Sequence, residues 1–295
     1  MTQAPTSTGS TVVTLGVLQP FDADSLLQFL RRRAISGIES VDDRSYSRTL
    51  RLPGGPSAVA LDITARSVEA RLWLTDPTDL AAAVERCRWL LDLDADPSAV
   101  EAHLGADPYL RPSLIANPGL RVPGHVDGFE VAVRAVVGQQ ISVEGARTIL
   151  GRLVREYGEA VADAPQPLTH LFPSPEGLAG ADPERLPMPR SRGRALVAVA
   201  VAVARGEVVL DRSVDLPDAR RALLALPGIG PWTADYIALR ALGDPDVFMG
   251  TDLGVRQGLA RMGLGDAGSD VFQRWSPWRS YALMHVWRSL DEGVT

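Results

Sequence analysis

The chain has 295 residues with 36 acidic and 30 basic side chains, giving a formal net charge of −6, and every basic side chain is arginine because the sequence holds no lysine. That excludes a P-loop, pyridoxal chemistry and any lyase that needs a lysine amine. The single cysteine, Cys87, excludes an intrachain disulfide, a cysteine-ligated cluster and a CxxC zinc site, and four histidines are too few to expect a histidine-rich metal centre.

Residues 1–10 are rich in Thr, Ser, Gly and Pro and read as a disordered tail without the pattern of a signal peptide. The longest apolar run, residues 195–204, is too short to span a bilayer, which needs roughly 20 residues, so the expected location is cytoplasmic. Residues 11–17 predict a strand, and Asp22-Ala23-Asp24 opens a helix carrying Leu26, Leu27, Phe29 and Leu30. Short strands follow at 46–52, 58–63 and 68–74, with Pro53-Gly54-Gly55-Pro56 as the clearest turn. Residues 79–91 predict a second helix. The expectation for residues 11–100 is an α+β domain built on an antiparallel sheet.

From residue 101 to 295 the expectation is an all-α region, with helices at 129–137, 143–157, 194–205, 218–226, 232–242, 252–262 and 278–290. Ser142 is placed to cap the second of these. Residues 165–175 read as a loop. Residues 185–240 hold 9 arginines against 5 acids, and Arg190, Arg192 and Arg194 have no acidic neighbour in sequence. This is either a solvated helix end or a patch for phosphates, since a local field can oppose the net charge.

Residues 226–234, Leu-Pro-Gly-Ile-Gly-Pro-Trp-Thr-Ala, are the most informative segment. One helix ends at Leu226, Gly228 and Gly230 flank Ile229, and a new helix starts near Pro231, a favoured first-turn residue. The pattern reads as a helix-hairpin-helix, in which backbone N–H groups at a helix N-terminus grip a phosphate without positive side chains. Further on, a Gly/Pro-rich loop ends in Asp252, which opens a helix. A carboxylate there is favoured by the helix dipole, which also keeps it ionised.

These segments resemble the helix-hairpin-helix DNA glycosylase superfamily and, within it, the AlkA-type bacterial 3-methyladenine DNA glycosylases. The likeness is carried by Phe129-Glu-Val-Ala-Val-Arg-Ala-Val-Val-Gly-Gln-Gln-Ile-Ser142, by Leu226 to Tyr236, by Asp246-Val-Phe248 through Asp252, and by Trp278-Arg-Ser-Tyr-Ala-Leu-Met-His-Val-Trp287. The resemblance implies a TBP-like α+β domain ahead of an all-α glycosylase core of two subdomains with a cleft between them. It implies Asp252 as the catalytic carboxylate and Trp232, Tyr236 and Trp287 as aromatic walls of a base pocket. Leu253 falls where the family can carry a tyrosine. Gln140 falls at the wedge that fills the gap left by a flipped nucleotide. Gly228, Ile229, Gly230 and Thr233 fall on the DNA-backbone hairpin.

The implied activity is excision of alkylated purines such as 3-methyladenine and 7-methylguanine from duplex DNA, leaving an abasic site. No cofactor and no metal is required, although hairpin carbonyls in this family can hold a monovalent ion. No protein partner or membrane is implied, and a monomer is expected. Where strand-cleaving members carry a Schiff-base lysine this chain has Trp232, which implies base removal alone. The single cysteine excludes the four-cysteine iron–sulfur loop of the endonuclease III and adenine-mismatch branches. Two other readings stay open: the same scaffold acting on deaminated bases such as hypoxanthine or uracil, and a non-catalytic hairpin module that only binds DNA. Read without the resemblance, Tyr236 and Trp287 would be core aromatics, and Trp275, Trp278 and His285 are expected in the interior.

Overall fold

The computed structural model describes residues 9–265 and 269–291, so the first eight residues of the expected tail lie outside it. The N-terminal part runs β1 (Thr11–Leu15), α1 (Ala23–Arg33), β2 (Glu39–Val41), β3 (Ser45–Leu52), β4 (Gly55–Ile63), β5 (Val68–Trp73) and α2 (Leu80–Leu91). The five strands form one antiparallel sheet in the order β1-β5-β4-β3-β2. Period-two alternation puts one side of each strand inward. Tyr46, Leu61 and Ala70 pair in register across three strands and are fully buried. Leu26, Leu27 and Leu30 of α1 and Ala83, Cys87, Leu90 and Leu91 of α2 cover that face. Asp22 caps α1 by accepting from Ser25 N at 2.9 Å, as its place before the apolar periodicity predicts.

Strand β2 has no counterpart in the sequence reading, because three residues are too few to show a period. The same holds for α3 (Pro97–Leu104) and α4 (Arg111–Ala116), short helices that cross a stretch punctuated by Asp, Gly and Pro. Beyond them lie α5 (Gly128–Gly138), α6 (Val143–Tyr157), α7 (Pro175–Ala179), α8 (Arg190–Ala204), α9 (Leu216–Leu224), α10 (Pro231–Ile237), α11 (Leu253–Arg261), α12 (Ser269–Gln273) and α13 (Arg279–Asp291). A π-helical turn, Ala238–Leu242, continues α10. Ser142 caps α6 on Gly145 N at 3.1 Å. Helix α5 is the axis of this part: Phe129 to Val133 and Ala135 to Val137 are all buried. No described helix is long and apolar enough to cross a membrane.

Two apolar cores result. The one under the sheet draws on residues from Leu15 to Leu93 together with Val126, whereas the helical core also takes in Ile35 and Ile38 from the segment after α1. A buried ion network ties the parts together. Arg48 of β3 pairs with Glu130 of α5 at 2.7 Å, and Arg134 of α5 reaches Glu39 of β2 and Glu130, both at 2.6 Å. Tyr46 donates to Glu39 at 2.6 Å, and His125 lies 3.4 Å from Glu130. Burial alone raises the Glu39 and Glu130 carboxyls, but the two guanidinium groups outweigh it and leave both below the ordinary range. Glu39, His125 and Glu130 stand close enough to share a metal ion, yet their oxygens are already met by arginine. The trio is read as part of the ion network.

The isolated look of the Arg190 cluster is corrected. Arg190 and Arg194 pair with Glu184 at 2.6 and 2.8 Å, because a turn folds Glu184 back onto the start of α8.

Candidate active site

Helices α9 and α10 form the helix-hairpin-helix. Gly228 has a φ of +79°, and a Cβ there would sit 2.6 Å from the Ala195 Cβ, so both the turn and its packing on α8 require glycine. Gly230 is different. It is extended, its α-carbon faces open space, and it begins α10 without a side-chain cap. The first-turn N–H groups of α10 are thus bare of side chains. Ile229 and Thr233 are buried, at 6% and 2% exposure, so they brace the hairpin from within and do not present side chains to a partner.

The turn between α5 and α6 lies beside the hairpin. Gln140 is exposed at its tip with a φ of +55°. Its neighbour Gln139, which sequence reading passed over, donates through Nε2 to Gly228 O at 3.1 Å and Thr233 Oγ1 at 2.9 Å. One side chain thereby fixes the tip relative to the hairpin.

Between these elements and the N-terminal part opens a cavity of about 440 Å³. It gathers Asp252, Trp232, Tyr236 and Trp287 from segments up to 55 residues apart, counting from 232 to 287. Asp252 caps α11, with Oδ1 accepting from Val255 N at 2.8 Å. Its Oδ2 accepts from Trp232 Nε1 at 2.9 Å, and Oδ1 also accepts from Trp287 Nε1 at 3.2 Å. The Trp232 and Tyr236 rings stack, with centroids 5.5 Å apart and planes at 17°. Leu253 is not among the lining residues; it is 67% exposed on the outer side of α11.

The inner end of the cavity has the opposite character. Arg33, Arg134 and Arg240 surround the Tyr236 phenol, and Arg240 Nη1 donates to its oxygen at 3.1 Å. Burial pushes this phenol up, but the charges of Arg240, Arg33 and Arg134 outweigh that and leave its pKa below the usual value. Arg240 pays the reverse penalty of burial, which lowers it to about 10, while Nε and Nη2 bond to the carbonyls of Pro123 and Gly124. The guanidinium groups of Arg33 and Arg240 lie 3.8 and 4.5 Å from the Phe29 ring centroid, at cation–π distance.

Helix α1 of the sheet domain is therefore a wall of the cavity, contributing Gln28, Phe29, Arg32 and Arg33. The sequence reading sought every wall in the helical region. Three arginines pin α1 there: Arg134 on Arg33 O at 3.0 Å, Arg147 on Ala34 O at 2.9 Å and Arg288 on Gln28 Oε1 at 2.9 Å. The run Arg31-Arg32-Arg33 in the last turn of α1 was the one visible signal, and it also suits the helix dipole.

The interior residues lie as expected. Trp275 is fully buried and bonds Asp107 at 3.0 Å, His285 is buried against Ser113 at 3.0 Å, and Trp278 packs on Tyr281.

Residues 12–127 match the family described as AlkA N-terminal domain, and residues 133–277 match HhH-GPD superfamily base excision DNA repair protein. A Mycobacterium tuberculosis protein named "Probable bifunctional transcriptional activator/DNA repair enzyme AlkA" is 46% identical over 99% of this chain, which spans 59% of that protein's length. The Escherichia coli protein named DNA-3-methyladenine glycosylase 2 is 36% identical over 93% of this chain and 96% of its own length. Among solved structures, a 3-methyladenine DNA-glycosylase from Archaeoglobus fulgidus superposes with a TM-score of 0.82 at 21% identity, covering 96% of this chain and all of the other. A Schizosaccharomyces pombe 3-methyladenine DNA glycosylase in complex with abasic DNA gives 0.54 at 21% identity over 64% of this chain and 95% of its own. Sheet domain, hairpin and overall likeness agree: the chain belongs to the HhH-GPD superfamily of base excision DNA repair proteins, in its AlkA-type 3-methyladenine DNA glycosylase family.

Proposed function

We propose that the protein is a monofunctional DNA glycosylase that flips alkylated purines of the 3-methyladenine and 7-methylguanine type out of duplex DNA and excises them by hydrolysis. The observation that carries this reading is the single carboxylate of Asp252, which caps α11 and is set between two indoles at the mouth of a cavity large enough for a base. Extrusion costs a few kcal/mol, least at a weakened pair, and Gln140 is the residue suited to fill the vacated stack. An N3- or N7-alkylated purine is cationic, and the faces of Trp232, Tyr236 and Trp287 attract it by about 0.5–2 kcal/mol each. The C1′–N bond breaks with its electron pair leaving on the base. Asp252 stabilises the oxocarbenium-like sugar, and a water adds its oxygen to C1′ and gives up a proton.

The absence of lysine supports base removal without strand cleavage, because no side-chain amine is available for a Schiff base on the opened sugar. Duplex DNA is the partner, held at the backbone of Gly228 and Gly230 and the first turn of α10.

A second reading is favoured by the arginines at the inner end of the cavity. Guanidinium donors suit a neutral base with a carbonyl acceptor, hypoxanthine above all, and oppose a cationic one. Incubating the protein with methylated, inosine-containing and uracil-containing duplexes and quantifying free base separates the readings. Release of 3-methyladenine without borohydride-trappable adducts or strand nicks is the expected outcome. Release of hypoxanthine alone would transfer the assignment to deaminated bases.

A further inference from the structure

Trp232 and Trp287 line the cavity, but each also aims its N–H at the same carboxylate, from two different helices. Trp232 comes from α10 and serves Asp252 Oδ2 at 2.9 Å, and Trp287 comes from α13 and serves Oδ1 at 3.2 Å. With the Val255 N–H, three of the roughly four acceptor positions of the carboxylate are occupied, leaving about one on Oδ2. The second approach depends on Gly254: a Cβ there would stand 3.1 Å from Asp252 Oδ1 and 3.4 Å from Cδ1 and Nε1 of Trp287. Glycine at this position has an unremarkable backbone, and the room it leaves is chiefly beside Asp252 Oδ1, with the indole at ordinary contact distance.

We infer that the two indole N–H groups form a clamp that sets the plane of the Asp252 carboxylate, and that Trp232 and Trp287 are positioning residues for catalysis as well as walls for the base. The backbone cap holds Oδ1 alone, through one bond that the carboxylate can break by turning about its last torsion. One donor on each oxygen, from two helices other than its own, removes that freedom. If the rings alone mattered, any aromatic residue would serve; if the N–H groups matter, an aromatic isostere lacking the donor fails. The inference rests on the glycosylase reading above.

The test replaces Trp232 or Trp287 with 3-benzothienylalanine, whose sulfur stands where the indole N–H was. The variants Trp232→Phe and Trp287→Phe serve as a second, genetically encoded set. Two quantities are measured: the single-turnover rate of base release from methylated duplex DNA, and Kd for a duplex carrying a tetrahydrofuran abasic analogue. The clamp predicts a rate loss of about tenfold to a hundredfold per lost donor to a charged group, with Kd within threefold of wild type. Benzothienyl variants whose rate stays within threefold of wild type overturn it, as does a rate loss matched by an equal loss of affinity. A wild-type protein that releases no base from any duplex overturns the glycosylase reading and the clamp together. An active wild type whose isosteres keep pace overturns the clamp alone.

Discussion

At the mouth of the cavity a half-buried carboxylate meets two indole N–H groups, whereas at the inner end three guanidinium groups crowd a phenol. The mouth is built on a helix cap and two tryptophans of the helical region. The inner end is shared with the sheet domain, through α1 and the buried ion pairs of β2 and β3 with α5. The contrast gives the cavity a direction. On the proposed function, positive charge developing on a sugar would be stabilised at the mouth, and acceptor atoms of a base would be met further in. An enzyme that separates these tasks in space can change its substrates at one end without altering the chemistry at the other.

The largest expected effect comes from removing the mouth charge. Asp252→Asn keeps the size of the cap but should slow base release by about 10²–10³-fold, equivalent to about 3–4 kcal/mol, in a single-turnover assay. A rate close to wild type would place the chemistry elsewhere. Next comes the support of the inner end. Glu39→Gln leaves Arg134 and Arg48 sharing one carboxylate and should destabilise the fold by about 3 kcal/mol, read as a lower Tm. An unchanged Tm would mean that the network contributes no net stability.

Smaller effects sharpen the comparison. Arg33→Gln removes an inner cation while Asp252 is untouched, so release of hypoxanthine should fall about tenfold relative to release of 3-methyladenine. Equal losses on both bases would show that the inner end does not discriminate. The last expected effect concerns Asp92, a half-buried carboxylate at the end of α2. Its Oδ2 accepts from Val122 N at 3.1 Å and the Tyr281 hydroxyl at 2.9 Å, but burial dominates and pushes its pKa up to about 6. A raised pKa in the fold means that the favourable contribution is full below the unfolded value and is lost as pH rises through about 6. Asp92→Asn should therefore stay close to wild type near pH 4 and become the more stable of the two above pH 7, measured by urea unfolding at both values.

Much of the fold was legible because it rests on local signals. The period of α6 runs from a capping serine to Gly158 and marks the observed bounds, and β5 alternates cleanly between buried and exposed residues. The hairpin was legible from its glycines, though for unequal reasons, since only Gly228 needs its conformation. What stayed hidden depends on distance in the chain. Arg194 finds Glu184 ten residues upstream, beyond any helical spacing. Phe29 and Arg33 reach the cavity more than 200 residues before Asp252, and only tertiary packing brings them there. Gln139 looked like a loop residue because its partners, Gly228 and Thr233, lie 89 and 94 residues further along the chain.

The pinning of α1 by Arg134, Arg147 and Arg288 makes the sheet domain part of the chamber and not an appendage to it. Trimming the chain to its hairpin region would remove one side of the chamber and expose the apolar sides of α5 and α6 to water. Grafting the sheet domain of a relative would import that relative's inner lining with it. Exchange of N-terminal domains between family members would test whether substrate preference travels with that lining.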